Sequence, residues 1–292
     1  MNKRYLKAIA ALLLLACAPL FAGESVDESW DVDSDAMISV DNVAGEIEIV
    51  GWGQSRVHLT GELGDSVDEL EVSATASRLK ISVENRNTRY TDETMLKLMV
   101  PEGASIDASA VSADIGVKKL SNDRLTASSV SGNVVADISS NRVSIESVSG
   151  DVSFRGQTGR ISAESVSGDI DLNGISGEIS ATTVSGDMEL QAGLVDSGKL
   201  ETVSGDMNFS GELSTNGRLT AESMSGDVVI NLPADQSGLF RAESFSGRIT
   251  TDFGSADKAR HGPGTHLKYV AGSGGAEIRV ESFSGNIKIK KD

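Results

Sequence analysis

Cysteine, basic residues and aromatic residues are scarce in this 292-residue chain. Cys17 is the only cysteine, so no disulfide can form within the chain. Lys and Arg number 26 against 43 Asp and Glu, and the formal net charge of −17 argues against nucleic-acid binding and against unassisted docking on anionic lipid. Aromatic residues make up 4% of the chain, so there are few platforms on which bases or sugar rings could stack.

Long apolar runs are also missing after the first 22 residues. Lys3, Arg4 and Lys7 precede the apolar stretch at 8–16, "AIAALLLLA", a pattern that predicts a secretory signal peptide over residues 1–22. No later run is long enough to span a bilayer. We therefore expect an exported protein without a transmembrane segment in its mature chain, located in the periplasm or at the outer membrane and cell surface of a Gram-negative bacterium.

Two processing sites remain open. A signal peptidase could cleave after Ala22, in "LFAGES", and release a soluble protein. Alternatively, "LLAC" ending at Cys17 resembles a bacterial lipobox, in which the cysteine becomes the lipidated N-terminus. Cys17 is thus the lipidation candidate.

A nine-residue pattern of the type "ESVSGDIDL" (164–172) recurs along most of the chain. The steps between successive copies are 18 to 21 residues, except the last, which is 38. Such a short, regular period indicates stacked supersecondary units. The small residue at the centre of each copy falls at Ala113, Gly132, Gly150, Gly168, Gly186, Gly205, Gly226, Gly247 and Gly285.

Within one copy the apolar residues alternate with polar ones. Ile161, Ala163 and Val166 precede Gly168, and Ile170 follows it. A spacing of two is typical of strands, which here lie on either side of a "VSG" corner. Glycine suits a corner that needs a positive φ, or a corner where the backbone of the next coil comes close. The serine before it can cap the bend. The sequence predicts an all-β fold, a single-chain β-solenoid (β-helix) of coils of about 18–21 residues.

Stacking should align equivalent residues about 4.8 Å apart in rows along the solenoid. We expect the corner valines to lie above one another as part of the buried apolar edge, as with Val148, Val166 and Val184. Larger apolar residues toward the C-terminus should fill wider coils, although an exposed set would instead mark an interface. These residues are Phe209, Met224, Phe240, Phe245, Phe253 and Phe283.

The remaining segments suggest how the stack ends. Residues 24–105 have longer alternating runs and are expected to form an N-terminal β cap, followed by solenoid repeats over 106–292. A Gly-rich insertion at 254–275 predicts an exposed loop or one degenerate coil. Lysines in the tail "NIKIKKD" (286–292) suggest a guard on the final edge strand, which favours a monomer.

These motifs together resemble the bacterial "putative adhesin" family, exported domains of unknown function with tandem "VSGD" β-repeats. The resemblance covers about residues 36–290. It implies a repetitive β fold and an adhesin-like role, and it brings no family-wide catalytic motif. The segments that carry it are "NVAGEIEIVGW", "LKLMVPEGASIDASAVSADI", the serial "VSGD" corners and "GSGGAEIRVESFSGNIKIK".

Two acidic rows follow from the aligned repeats, and they are the metal-site candidates. Ca²⁺ bridging carboxylates on adjacent coils would relieve their mutual repulsion, whereas the alternative is a solvated face screened by ordinary salt. One row follows the corner glycine and comprises Asp151, Asp169, Asp187, Asp206 and Asp227. The other lies four residues before the glycine and comprises Glu146, Glu164, Glu201, Glu222, Glu243 and Glu281. No other cofactor is expected.

Candidates for catalysis are few. The chain has three histidines, of which His261 and His266 share the loop "HGPGTH", where a metal site or an ordinary polar loop is possible. The many serines have no evident His–acid partner. The sequence therefore favours a non-enzymatic, adhesin-like binding or scaffolding protein of the cell envelope, with an envelope protein or glycan as its partner. The alternative is a polysaccharide-active β-helix enzyme, which should interrupt the repeat at one coil where polar residues converge.

The intact mass of the protein purified from its native host decides between the two processing sites. We expect a mature chain that begins at Gly23. Its mass should be the same in a Cys17→Ser variant, because cleavage after Ala22 removes residue 17. A chain that begins at an acylated Cys17, and that is lost in the Cys17→Ser variant, would instead show a lipoprotein.

Overall fold

The computed structural model describes residues 24–85, 92–258 and 264–292. Within these ranges the chain forms strands and turns without a helix, as the sequence predicts. The described residues consequently contain no helix suited to crossing a membrane. Residues 1–22, with the predicted signal peptide and Cys17, lie outside the described ranges.

The described residues form one nineteen-stranded sheet. Its strands are β1 (Glu24–Asp31), β2 (Met37–Trp52), β3 (Arg56–Leu63), β4 (Val67–Ala74), β5 (Arg78–Asn85), β6 (Thr94–Pro101), β7 (Ser105–Ser129), β8 (Val134–Ser147), β9 (Val152–Ser165), β10 (Ile170–Ser185), β11 (Met188–Ser204), β12 (Met207–Ser225), β13 (Val228–Leu232), β14 (Gly238–Ser244), β15 (Ile249–Thr251), β16 (Asp257–Lys258), β17 (Thr265–Ala271), β18 (Ala276–Ser284) and β19 (Ile287–Lys291).

The central coils stack in parallel and in register, which confirms the predicted solenoid. Strand β9 pairs with β8 on one side and with β10 on the other, so Val152 lies between Val134 and Ile170. The matching continues through β11 and β12, with register shifts only in the middle of these strands, away from the corners. Equivalent residues therefore form rows that run along the solenoid.

The interior is built from alternate residues of each coil. Ile161, Ala163, Ile170 and Leu172 are buried, as their period of two predicts. The prediction for Val166 is wrong: 44% of this residue is exposed. Alternation from Ile161 places Ser165 in the interior, so Val166 points outward. After the corner the inward positions begin again at Ile170.

Glycine is required at the corners because neighbouring coils nearly touch there. A Cβ added to Gly168 would lie 2.0 Å from the backbone oxygen of Gly150 in the preceding coil. No side-chain rotation can relieve a contact with backbone. The cap is Ser165, three residues before the glycine, rather than the adjacent serine: the Gly168 N–H donates to Ser165 Oγ over 2.9 Å.

The last repeat does not lie at the end of the stack. Strand β18 pairs with β12 on one side and with β14 on the other, and β19 lies between β13 and β15. The final repeat is thus inserted between two coils that precede it in the chain. Lysines of the tail therefore do not guard an edge strand, and that prediction is wrong.

Antiparallel strands close both ends of the stack. At the N-terminal end β3 pairs with β6 and β1 with β3, while β4 pairs with β5. At the other end β17 runs antiparallel to β14 over its whole length. Strands β16 and β17 both lie within the predicted 254–275 insertion, and β17 covers the edge of the last coil.

Corner crowding gives a matched pair of glycine substitutions. We expect Gly168→Ala to lower the free energy of unfolding by about 2–4 kcal/mol, because the added Cβ meets the Gly150 backbone oxygen. Gly159→Ala is the control, since its Cβ would lie 3.7 Å from its nearest neighbour, Asn141 O. It should change stability by at most about 1 kcal/mol, in the stabilising direction. Urea unfolding measures both, and equal effects would contradict the crowding argument.

Candidate functional site

The aspartates after the corner glycines link each coil to the next. The Asp169 backbone N–H donates to Asp151 Oδ1 over 2.9 Å, and the Asp187 N–H donates to Asp169 Oδ1 over 2.8 Å. The same bond recurs at Asp206 and Asp227. Each carboxylate therefore satisfies a backbone donor of the neighbouring coil, a task that asparagine performs equally well at Asn133 and Asn286 in the same row.

Asp227 shows the electrostatic consequence most clearly. The backbone N–H of Asn286 donates to its Oδ1 over 2.8 Å, and this bond lowers the pKa of Asp227 below its ordinary value. The Asn286 side chain and the Lys288 ammonium lower the pKa further. Hydrogen bonds that favour the ionised form thus keep this carboxylate charged.

The predicted glutamates also lie in one row, but without a ligand cluster. Glu146 and Glu164 are in register, with Ser128 before them and Thr182 after them. Beyond Thr182 the row continues as Glu201, Glu222, Glu281 and Glu243. Nowhere in the described ranges do three or more His, Cys, Asp or Glu side chains gather in a way that could hold a metal ion.

The two loop histidines have different outcomes. His261 lies outside the described residues. His266 belongs to β17, where it is in register with Glu243 on β14 and with Asp257 on β16.

An exposed apolar row runs beside the glutamates along the solenoid. We call it the ridge. Its members occupy the position two residues before the corner, and 43–59% of each residue is exposed. In stacking order the ridge comprises Val111, Val130, Val148, Val166, Val184, Val203, Met224, Phe283 and Phe245.

The ridge corrects the predicted role of the larger apolar residues. Phe209, Phe240 and Phe253 do fill the interior. Met224, Phe245 and Phe283, in contrast, are at least half exposed, so the prediction that they fill the coils is wrong. The rings of Phe245 and Phe283 stack on each other, with centroids 4.9 Å apart and planes 5° from parallel. The sequence could have shown this, because the same phase that points Val166 outward applies to every corner.

Five coils at the C-terminal half form a groove of about 810 Å³ between the glutamate row and the ridge. Strand β17 closes one end of this groove through Thr265 and His266. Buried hydroxyl residues form the floor. The groove residues on the five coils are Thr182–Val184, Glu201–Val203, Glu222–Met224, Glu281–Phe283 and Glu243–Phe245.

Four of the five coils that form the groove have longer strands, and the exception is β14, which ends at Ser244. Strands β8 and β9 end at Ser147 and Ser165, one residue before the ridge, so their ridge valines lie in the turn. Strands β10, β11, β12 and β18 continue past the ridge residue. The glutamate and the ridge residue of one coil then project from the same straight strand, two residues apart and on the same face.

Strand extension leaves hydroxyl groups of the floor without partners. In the shorter coils the serine at this position caps the corner glycine, as Ser165 does. In the longer ones the Gly205 N–H donates instead to the Ser225 backbone oxygen of the next coil. Three consecutive coils consequently bury a hydroxyl group that has no hydrogen-bond partner, namely that of Thr202, Ser223 and Ser282.

An interruption of the rows at one coil, the predicted sign of an enzyme, is not found for the aspartate row within the described coils. Its hydrogen bonds run without a break from Asp114 through Asn286 to Arg248. The groove itself offers carboxylates, hydroxyl groups, apolar side chains and His266. This chemistry suits recognition of a ligand that is both apolar and cationic.

Comparison with solved structures finds several that are similar to this chain. A putative adhesin from Bacteroides fragilis is 14% identical, with 92% of this chain and 98% of that chain covered and a TM-score of 0.44. A putative lipid binding protein from Parabacteroides distasonis is 12% identical, with 91% and 97% covered and a TM-score of 0.44. A putative adhesin from the same species is also 12% identical, with 91% and 97% covered and a TM-score of 0.35.

Comparison with curated proteins gives no significant match. A family model does match: Toastrack DUF4097, over residues 36–290. This range begins just before β2 and includes every coil described above. The chain therefore belongs to the Toastrack DUF4097 family.

Proposed function

We propose that this protein is a non-enzymatic, adhesin-like binding module of the cell envelope and that the ridge is its binding surface. The observation that carries the proposal is the continuity of the ridge: nine apolar residues, one on each of nine stacked coils, with no polar residue between them. Single exposed apolar residues are ordinary on a protein surface, whereas contiguous apolar patches rimmed by polar groups mark interaction sites.

The ridge contributes less to the interior than the buried rows do, because about half of each of its residues is exposed. Its side chains point away from the interior, and the other outward rows of the same coils carry Glu, Asp and Ser. Each coil could therefore carry a polar residue there, as the other outward rows do, with a smaller loss of buried apolar area than at an interior position. A repeated apolar choice at an outward position suggests selection for a partner with an extended surface.

The cellular location in this proposal comes from the sequence. A signal peptide over residues 1–22 would export the chain, and either a free N-terminus at Gly23 or lipidation at Cys17 would place the solenoid in the envelope. The partner would then be an envelope protein or glycan. Because the ridge is a single apolar row along the length of the solenoid, it suits a long partner more than a small molecule.

Binding to envelope fractions tests the proposal. Outer-membrane vesicles and isolated cell-wall sacculi from a Gram-negative host are incubated separately with the purified chain beginning at Gly23, and the bound protein is measured after sedimentation. We expect binding to at least one fraction. A triple variant, Val166→Ser, Val203→Ser and Phe283→Ser, should weaken binding by about tenfold or more, as removal of about 1.4 kcal/mol or more of contact energy would do.

The chain offers a matched control triple away from the ridge: Met95→Ser, Val135→Ser and Leu194→Ser. These residues are 43%, 46% and 51% exposed, close to the 44%, 46% and 57% of the ridge triple. Both triples should keep wild-type stability within about 1–2 kcal/mol, because exposed substitutions cost little. Equal loss of binding in the two triples, or no binding by the wild type to either fraction, would reject the proposal.

A further inference from the structure

We propose that the groove binds a basic amphipathic α-helix of a partner protein, which lies along the solenoid axis. The helix would rest its apolar stripe on the five ridge residues of the groove and direct Lys or Arg side chains to the adjacent glutamates. This inference deepens the proposed function and rests on it, since it names the partner class for one part of the ridge.

The spacing of the coils favours a helix over an extended chain. Adjacent coils are about 4.8 Å apart, so the groove from Val184 to Phe245 extends about 19 Å. A helix presents one face every turn, about 5.4 Å, and drifts from the coils by only about 2.4 Å over that length. Side chains on one face of an extended chain repeat every 6.6–6.8 Å. Over four repeats they would move out of step with the coils by roughly 8 Å, which is more than the distance between adjacent coils. About 13 helical residues span the groove.

Charge defines the basic side of the partner. Glu222 and Glu243 form no ion pair with any described residue, whereas Glu201 and Glu281 pair with Lys199 and Arg279 at 2.7 and 2.6 Å. Arg279 attracts the carboxylates of both Glu222 and Glu243, and Lys199 also attracts Glu222, but neither cation contacts them directly. Four glutamates of the groove thus lie near two cations, which leaves a net negative charge beside an apolar wall. A Lys or Arg side chain can lay its aliphatic stem on the wall and bring its charge to a glutamate.

The apolar wall also changes in size along the groove. It passes from Val184 and Val203 through Met224 to the stacked rings of Phe283 and Phe245. Met adapts to irregular surfaces, and the aromatic pair supplies the largest apolar contact at the end that β17 closes. The unpartnered floor hydroxyls lie in the same coils, which departs from the usual satisfaction of buried polar groups and is typical of functional regions.

Synthetic peptides of defined pattern test the inference on the chain beginning at Gly23. The first peptide, about 18 residues of Leu and Lys, has Leu at helical spacing so that one face is apolar. The second has the same composition with Leu and Lys in strict alternation, as in a strand. The third has the helical pattern with Glu in place of Lys. Fluorescence anisotropy of labelled peptide, below its self-association concentration, gives each Kd.

We expect the helical Lys peptide to bind at least about tenfold more tightly than the other two. Glu222→Gln with Glu243→Gln should weaken its binding about fivefold, as expected for two exposed ion pairs, and less so at high salt. Glu146→Gln with Glu164→Gln is the matched control, in the same row but outside the groove, and should change the Kd by less than about twofold.

The apolar wall has its own control. Met224→Ser with Phe283→Ser should weaken binding of the helical Lys peptide by about tenfold, whereas Val130→Ser with Val148→Ser, on the ridge but outside the groove, should not. Unchanged thermal unfolding of each pair shows that the fold is intact.

Other outcomes reject the helix. Tighter binding of the alternating peptide would identify an extended strand as the occupant, and equal binding of the Glu peptide would remove the role of charge. Binding of phosphatidylcholine vesicles in place of all three peptides would identify lipid. If no peptide binds while ridge-dependent binding to envelope fractions persists, the helix is rejected and the proposed function stands.

Discussion

Close contact between backbones at the corners is the constraint on which the rest of the molecule depends. The Cα of each corner glycine lies against the backbone oxygen of the preceding coil, and a Cβ at Gly150 or Gly168 would be 2.0–2.1 Å from it. Any slip between coils would break this contact, so the register is fixed in the strand segments that flank the corners, and the register shifts lie between corners. Once the register is fixed, a preference repeated in sequence becomes a continuous row in space. The aspartate row, the glutamate row and the ridge all follow from that alignment.

The repeat made the architecture predictable, while the corner concealed which side chains face outward. The alternation of Ile161, Ala163, Ile170 and Leu172 correctly indicates β-structure on both sides of the corner. The predicted two short strands per copy are wrong, because each central coil forms one strand of 14–19 residues between corners. Val166 appeared to continue the alternation because valine is apolar, yet Ser165 is the residue in phase. A small hydroxyl side chain was needed inside to cap Gly168, and this need outweighed hydrophobicity. For the same reason the sequence places the ridge valines in the core, whereas the structure exposes them.

The order of the last coils could not be predicted from the period. Sequence shows a step of 38 residues before Gly285 but not where the delayed repeat goes. In the structure β18 and β19 lie beneath the coil of β14 and β15, and β17 covers the outer edge of β14. Placement of the repeat inside the stack gives its backbone groups partners on both sides. It also brings Phe283 next to Phe245, although 38 residues separate them in the chain.

The groove arises from a conformation that neighbouring coils select rather than from the local sequence. Residues 243–247 and 281–285 both read "ESFSG". In the first, Ser244 accepts the Gly247 N–H and the strand ends at once. In the second, the Ser282 hydroxyl has no partner and the strand continues through Ser284, whose backbone oxygen accepts the Gly226 N–H of the adjacent coil. The same five residues thus form a capped turn or a straight strand according to what lies beside them. Because a buried unpartnered hydroxyl costs about 1–3 kcal/mol, the straight form persists only where the hydrogen bonds between coils offset it. It persists over four coils that line the groove, so the stack itself creates the surface that distinguishes the C-terminal half of the rod.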